Sequence, residues 1–123
     1  MYVAGTPRFW LRLEGAAVLA ASLVAFQWQL GSWWWFAITL LAPDLTMLAY
    51  LAGPGLGARA YNLVHSYVGP LFLAMYGVGI GRSDVVPWAL IWFAHIGLDR
   101  MLGFGLKYES AFGDTHLGKI GRG

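Results

Sequence analysis

Four apolar stretches of about twenty residues each dominate this chain of 123 residues, separated only by glycine, proline and a few charged positions. A helix of that length rises about 30 Å, the thickness of the hydrocarbon core of a bilayer. The stretches cover residues 10–30, 33–52, 60–80 and 86–106, and a polar, glycine-rich tail follows over 107–123. Gly31-Ser32, Gly53-Pro54-Gly55 and Gly81-Arg82-Ser83-Asp84 punctuate them as turns. Arg8 and Arg12 resemble the basic region of a signal peptide, but no small-residue cleavage site follows, so the first span is expected to be retained. Connections this short force neighbouring helices to run antiparallel. The expected fold is all-α, a four-transmembrane-helix up-down-up-down bundle forming a single integral membrane domain over 1–123.

Composition agrees with that frame. The chain is 59% hydrophobic and 11% charged, against roughly a quarter charged in soluble domains, and a water-soluble fold of this size could not hide so much apolar surface. A net charge of +2, with the basic residues scattered, argues against nucleic acid as a partner. Cysteine is absent, so any metal must be held by histidine and carboxylate. Arg8, Arg12, Arg59, Arg100, Lys107, Lys119 and Arg122 fall on one side of the spans and Arg82 on the other, which places both termini in the cytoplasm. Trp28, the run Trp33-Trp34-Trp35 and Trp88 then form an anchoring belt at the outer interface.

Ionisable groups within the spans are costly, about 2.5 to 3.5 kcal/mol each on insertion scales, and each demands a partner or a purpose. Glu14, Asp44, His65, His95, Asp99 and Arg100 are such groups. Counted along the helices at 1.5 Å per residue, Glu14 and His65 lie roughly 5 to 8 Å from the cytoplasmic end, Asp99 about 10 Å, and Asp44 and His95 about 14 to 16 Å. All fall in one cytoplasmic half-layer. His95 and Asp99 are an i, i+4 pair sharing a face with Trp88 and Trp92. Tyr61, Asn62, His65, Gly69, Phe72 and Tyr76 make a stripe of helical period that is expected to face inward. Glu14 shares its face with Ala17, Ala21, Ala25 and Trp28, a small-residue spacing that permits close helix approach. Pro43 and Pro70 free the carbonyls of Thr39 and Ser66, which favours a wet pocket near Asp44 and His65.

Three readings of this layer compete. His65, His95, Asp99 and Asp44 could ligate a divalent cation such as Zn, Fe or Mn, with Glu14 as a supporting base. They could form a proton or ion pathway. Or they could be structural, Asp44 pairing with Arg100 or His65 and Glu14 with Arg12 or Arg59. A haem clamped by His65 and His95 is disfavoured by a depth mismatch of roughly 8 Å between them. The tail is expected to be either a solvated cytoplasmic end or a lid that folds back and brings His116 or Asp114 under the polar layer.

The stretches Pro43-Asp44-Leu45-Thr46-Met47, Tyr61-Asn62-Leu63-Val64-His65-Ser66-Tyr67, His95-Ile96-Gly97-Leu98-Asp99-Arg100, Gly103-Phe104-Gly105-Leu106-Lys107-Tyr108 and Thr115-His116-Leu117-Gly118 resemble the recurring motifs of a bacterial family of small four-helix integral membrane proteins of unknown function. The resemblance spans almost the whole chain. It implies that Asp44, His65, His95, Asp99, Arg100 and His116 are characteristic positions, and it names no reaction.

The resulting expectation is a multi-pass protein of the bacterial inner membrane with a polar site near the cytoplasmic side. As an enzyme it would carry out metal-assisted or acid–base conversion of an apolar or amphiphilic substrate. Glu14, Asp44, Asp99 and Arg100 would be the catalytic groups, and Trp92, Phe72, Tyr76 and Phe104 would contact the substrate. The alternatives are a proton-coupled small transporter or channel subunit, for which four short helices would call for a homo-oligomer, and a non-catalytic membrane adaptor. No Ser-His-Asp spacing, phosphate-binding glycine loop or lipid-attachment motif is present.

Overall fold

The first helix, α1 (Gly5–Trp28), tolerates Pro7 because the first helical turn has no use for that N–H. Its buried residues, Gly15, Ser22 and Phe26, face α5 (Val86–Leu102), the helix with which α1 shares its main contact. A Cβ at Gly15 would lie 2.8 Å from the Gly97 carbonyl oxygen, and one at Gly97 would lie 2.7 Å from that of Gly15. The two backbones therefore touch directly where both side chains are absent. The stripe expected to make this contact does not: Glu14, Ala17 and Ala21 are exposed. Glycine permits a closer crossing than alanine, and the helix rolls to use it.

This is a computed structural model, and it describes residues 4–29, 31–107 and 114–119. A core of Phe26, Phe36, Ile91 and Ala94 joins α1 and α5 to α2 (Trp33–Thr39). Ser32 caps α2, its hydroxyl accepting from the Trp35 amide at 3.4 Å. Trp33 packs edge-on against Phe26 at 4.8 Å, closing the α1–α2 connection.

The second predicted span is interrupted. After α2 the chain turns at Leu40 and Leu41 and continues as a 3₁₀ helix, Ala42–Ala52, with Pro43 in its first turn. This segment lies on α3 (Pro54–His65), the Tyr50 ring covering Gly57 so closely that no Cβ would fit there. Gly53-Pro54, read from sequence as a loop, begins α3: Gly53 takes a φ of 121° and Pro54 fills the first helical position.

The third predicted span, 60–80, is not one helix. It divides at Ser66–Tyr67 into α3 and α4 (Val68–Gly79). Pro70 cannot donate to the Ser66 carbonyl, so the hydrogen-bond ladder lapses where the break occurs. Each half resets its own phase. Tyr61 and His65 are buried and Gly69 packs against Trp92, whereas Phe72 and Tyr76 are 71% and 56% exposed, so the predicted inward stripe faces inward only as far as Gly69. Segments Gly5–Trp28, Trp33–Ala52 and Ser83–Leu102 are each long and apolar enough to cross a membrane; α4, at 12 residues, is shorter than a full crossing.

Helix α5 stops at Leu102 rather than 106, because Gly103 adopts a φ of 91° and the Phe104 amide returns to the Asp99 carbonyl at 2.7 Å. The tail then folds back. Asp114–Thr115 pairs antiparallel with Gly118–Lys119, Lys107 bridges Thr115, and Leu117 is fully buried. Arg8 of α1 donates to the Leu117 carbonyl and Arg12 to that of Met101 at 2.9 Å. His116 binds Leu106 twice, its amide donating to the carbonyl and its Nδ1 accepting from the amide, both at 2.9 Å. The expectation of a solvated end is thus replaced by a docked one over the described residues.

Burial, reinforced by the positive Arg100, pushes the His116 imidazole below its ordinary range. The unfolded chain therefore takes up the proton more readily than the folded one, and a protonated Nδ1 cannot accept from Leu106. The docking contribution is complete above about pH 6.5 and declines as the pH falls below it. Thermal unfolding in detergent should show a lower midpoint at pH 5.5 than at pH 8, and His116→Gln should reduce that difference.

Candidate metal centre

Both backbone breaks lie beside the polar residues. Asp44 sits in the first turn of the 3₁₀ segment, just past the break at Leu40–Leu41, and His65 is the last residue of α3, just before the break at Ser66–Tyr67. His95 and Asp99 project from one face of α5. Interrupted helices within a membrane bundle are tolerated where they line a polar site.

The freed carbonyls are taken up by side chains of α5. Arg100 donates to the His65 carbonyl at 3.0 Å and to that of Phe104 at 3.3 Å, and Trp92 Nε1 donates to Val64 at 2.7 Å. The bonds to Val64 and His65 satisfy the C-terminus of α3, and the guanidinium also complements its dipole. The pairing of Arg100 with Asp44 considered from sequence gives way to this capping role, because the guanidinium is directed at the two carbonyls. Arg100→Lys loses the fork that reaches both carbonyls and should destabilise the protein by about 1 to 3 kcal/mol, read from unfolding in detergent.

Four donor atoms converge. His65 Nε2 lies 3.0 Å from Asp44 Oδ1 and 3.8 Å from Asp99 Oδ2, and His95 Nε2 lies 3.2 Å and 3.3 Å from the same two oxygens. The two Nε2 atoms are 3.1 Å apart. All four donors fit within 4.8 Å of one another. Metal–ligand bonds of about 2.0 to 2.1 Å in tetrahedral array place neighbouring ligands about 3.3 to 3.4 Å apart, the scale of these separations.

The tautomer of His65 sharpens the point. Its Nδ1 lies 2.9 Å from the Tyr61 carbonyl oxygen, which can only accept, so a neutral imidazole carries its proton there. Its Nε2 then presents a lone pair to the Asp44 oxygen and to His95 Nε2. At these distances that lone pair needs a cation, or a proton carried by His95 Nε2 or the carboxyl, between it and its neighbours. A backbone carbonyl holding the remote N–H is also how metal-bound histidines are oriented. The Tyr61 ring stacks on the His65 ring with centroids 3.7 Å apart, and the Lys107 ammonium lies 4.6 Å from that of Tyr61. Both histidines are buried, Asp99 is 14% exposed and Asp44 32%, so the group is approached past Asp44.

The predicted depth mismatch between His65 and His95 is overturned. The two Nε2 atoms stand 3.1 Å apart, because α3 starts at Pro54 and α5 ends at Leu102, both away from the ends from which the depths were counted. Haem is excluded on distance: two axial nitrogens must stand about 4 Å apart, twice a bond of about 2.0 Å, and these are closer.

Of the residues singled out from sequence, Asp44, His65, His95 and Asp99 come together. Glu14 does not join them; it lies exposed on α1. Trp92, Phe72 and Tyr76 line a common apolar groove, which Phe104 does not. His116 binds Leu106 rather than the group, and the Asp114 side chain lies outside the described residues. Sequence reasoning gives Asn62 and Lys107 no role at the site. The Asn62 amide clamps the Lys107 backbone, donating to its carbonyl at 2.8 Å and accepting from its amide at 2.6 Å, which ties the tail to α3. Tyr61 is legible from its position one turn before His65; nothing local to Lys107 marks it.

A helical protein with three segments, among the described residues, fit to cross a membrane and a histidine–aspartate group that could hold a metal is the class these features define. The chain belongs to the family described as Domain of unknown function (DUF4260), whose model matches residues 8–120. Neither the curated proteins nor the solved structures include a match to it.

Proposed function

We propose that this chain is a multi-pass membrane enzyme of the bacterial inner membrane, with a divalent cation held near its cytoplasmic side and an apolar or amphiphilic substrate. The observation that carries this reading is the His65 ring: with its Nδ1 proton spent on the Tyr61 carbonyl, its Nε2 faces Asp44 Oδ1 and His95 Nε2, where a cation would sit among all three. His65, His95 and Asp99 are the three ligands, a set of two imidazoles and a carboxylate suited to Zn, Fe or Mn. When bound, the cation supplies Lewis acidity toward a polar group of the substrate. Asp44, the most exposed of the four, accepts a proton from an attacking water. Arg100 and Tyr61 keep His65 in position.

Metal content measured by mass spectrometry on gently purified protein tests the reading. Near-stoichiometric metal is expected in the wild type and its loss in His65→Ala and in His95→Ala, while Asp44→Asn retains more than Asp99→Asn. A metal-free wild type would overturn the proposal and turn attention to proton movement through the same residues.

A further inference from the structure

Beside the metal centre, two apolar grooves share the walls Leu73 and Trp92. The larger, about 550 Å³, runs along Leu63, Val68, Phe72 and Tyr76; the smaller, about 310 Å³, ends against Pro43 and Val64. Both fall near or within the range of roughly 300 to 1,000 Å³ usual for ligand sites. We propose that together they bind the hydrocarbon chain of a membrane lipid and deliver its head group to the centre; the delivery rests on the cation reading above, the chain site does not.

Continuity is the first argument. Pro43 and Val64 immediately precede Asp44 and His65, and Trp92 lies one turn before His95, so the smaller groove is walled by chain neighbours of three of the four donors, which themselves lie outside its lining. Chemistry is the second. The indole N–H of Trp92 is turned away to the Val64 carbonyl, and the Thr39 hydroxyl donates to the Trp35 carbonyl at 2.7 Å, so the walls are almost wholly apolar. A chain lies there tail outward, its head group toward the donors, of which Asp44 is the most exposed. The outer wall is open sideways: Leu63, Val68 and Phe72 are strongly exposed among the described residues, at the level where a bilayer supplies acyl chains. Gly69 completes the shape. A Cβ there would lie 2.5 Å from the Trp92 ring, so this glycine lets the indole lie flat as the shared floor. Trp92 and Gly69 are then the residues that set which chains fit.

Photolabelling with palmitic acid carrying a mid-chain diazirine, followed by peptide mapping, tests this on the whole protein in detergent and in vesicles. Label should concentrate on residues 63–76 and on Trp92. It should fall about tenfold in Leu73→Trp, which fills both grooves from their common wall, and stay unchanged in Leu48→Trp on the exposed 3₁₀ segment. Gly69→Leu gives a second obstruction should Leu73→Trp fail to fold. Label spread evenly over the exposed faces of α1 and α4, or indifferent to both obstructions, would overturn the chain site as mere surrounding lipid. The metal content of the same samples separates the two proposals: labelling confined to the groove in a His95→Ala protein without metal supports the chain site on its own, and confined labelling in a metal-free wild type overturns only the delivery to a cation.

Discussion

Gly97→Val is expected to leave almost no folded protein. The Gly97 Cα sits at the crossing of α1 and α5, where an added Cβ would be 2.7 Å from the Gly15 carbonyl oxygen and 2.8 Å from the Leu19 amide nitrogen. Those neighbours are backbone, so no rotamer change relieves the clash, and the helices must separate. Separation strips the Phe26, Ile91 and Ala94 core and pulls Arg8 and Arg12 from the carbonyls that hold the tail. A cost of about 3 kcal/mol or more is expected, at the upper end for overpacking, and enough to unfold a small domain. Size-exclusion chromatography in detergent should show aggregate in place of the monodisperse peak. Ala17→Val, on the exposed face of the same region of α1, should leave the peak unchanged. A normal peak for Gly97→Val with an unshifted unfolding midpoint would mean that the helices do not cross at this contact.

Asp99→Asn should lose most of its effect when metal is removed. With cation present, losing one of three ligands lowers affinity, and stability falls with it, since saturation at about a thousandfold above Kd is worth about 4 kcal/mol. Under chelation only protons reconcile the donors, and Asp99 Oδ2 stays 3.3 Å from His95 Nε2. An amide at this position keeps a hydrogen bond to His95, so replacing the carboxylate then costs little. The chelated variant should melt close to the chelated wild type, whereas with saturating zinc it should melt well below. Equal effects in both conditions would show that the carboxylate is structural and that no cation bridges the group. Unfolding midpoints of the four samples decide between these outcomes.

Much of the site is legible in the amino-acid pattern. Asp44, His65, His95 and Asp99 stand out because a charge within an apolar span is expensive, and the i, i+4 spacing on α5 holds because that helix is unbroken between Val86 and Leu102. Glu14 meets the same criterion and fails. Its carboxylate can be placed on a helix but not on the side of the helix that packs, and Gly15 next to it decides that side. The stripe on the third span fails beyond Gly69 because phase carries only along continuous hydrogen bonding.

Apolar length and periodicity by themselves determined that this chain is helical and rich in segments able to cross a membrane, since those properties sum over many residues and no single contact can reverse them. Where the helices begin and break, and therefore which polar residues are level with one another, only the tertiary structure decided. Pro54 starts α3 rather than ending a loop, Pro43 and Pro70 open the ladder at two junctions, and the second persists because Trp92 and Arg100 take up the Val64 and His65 carbonyls. Such partners lie tens of residues away in the chain, and a local pattern holds no trace of them.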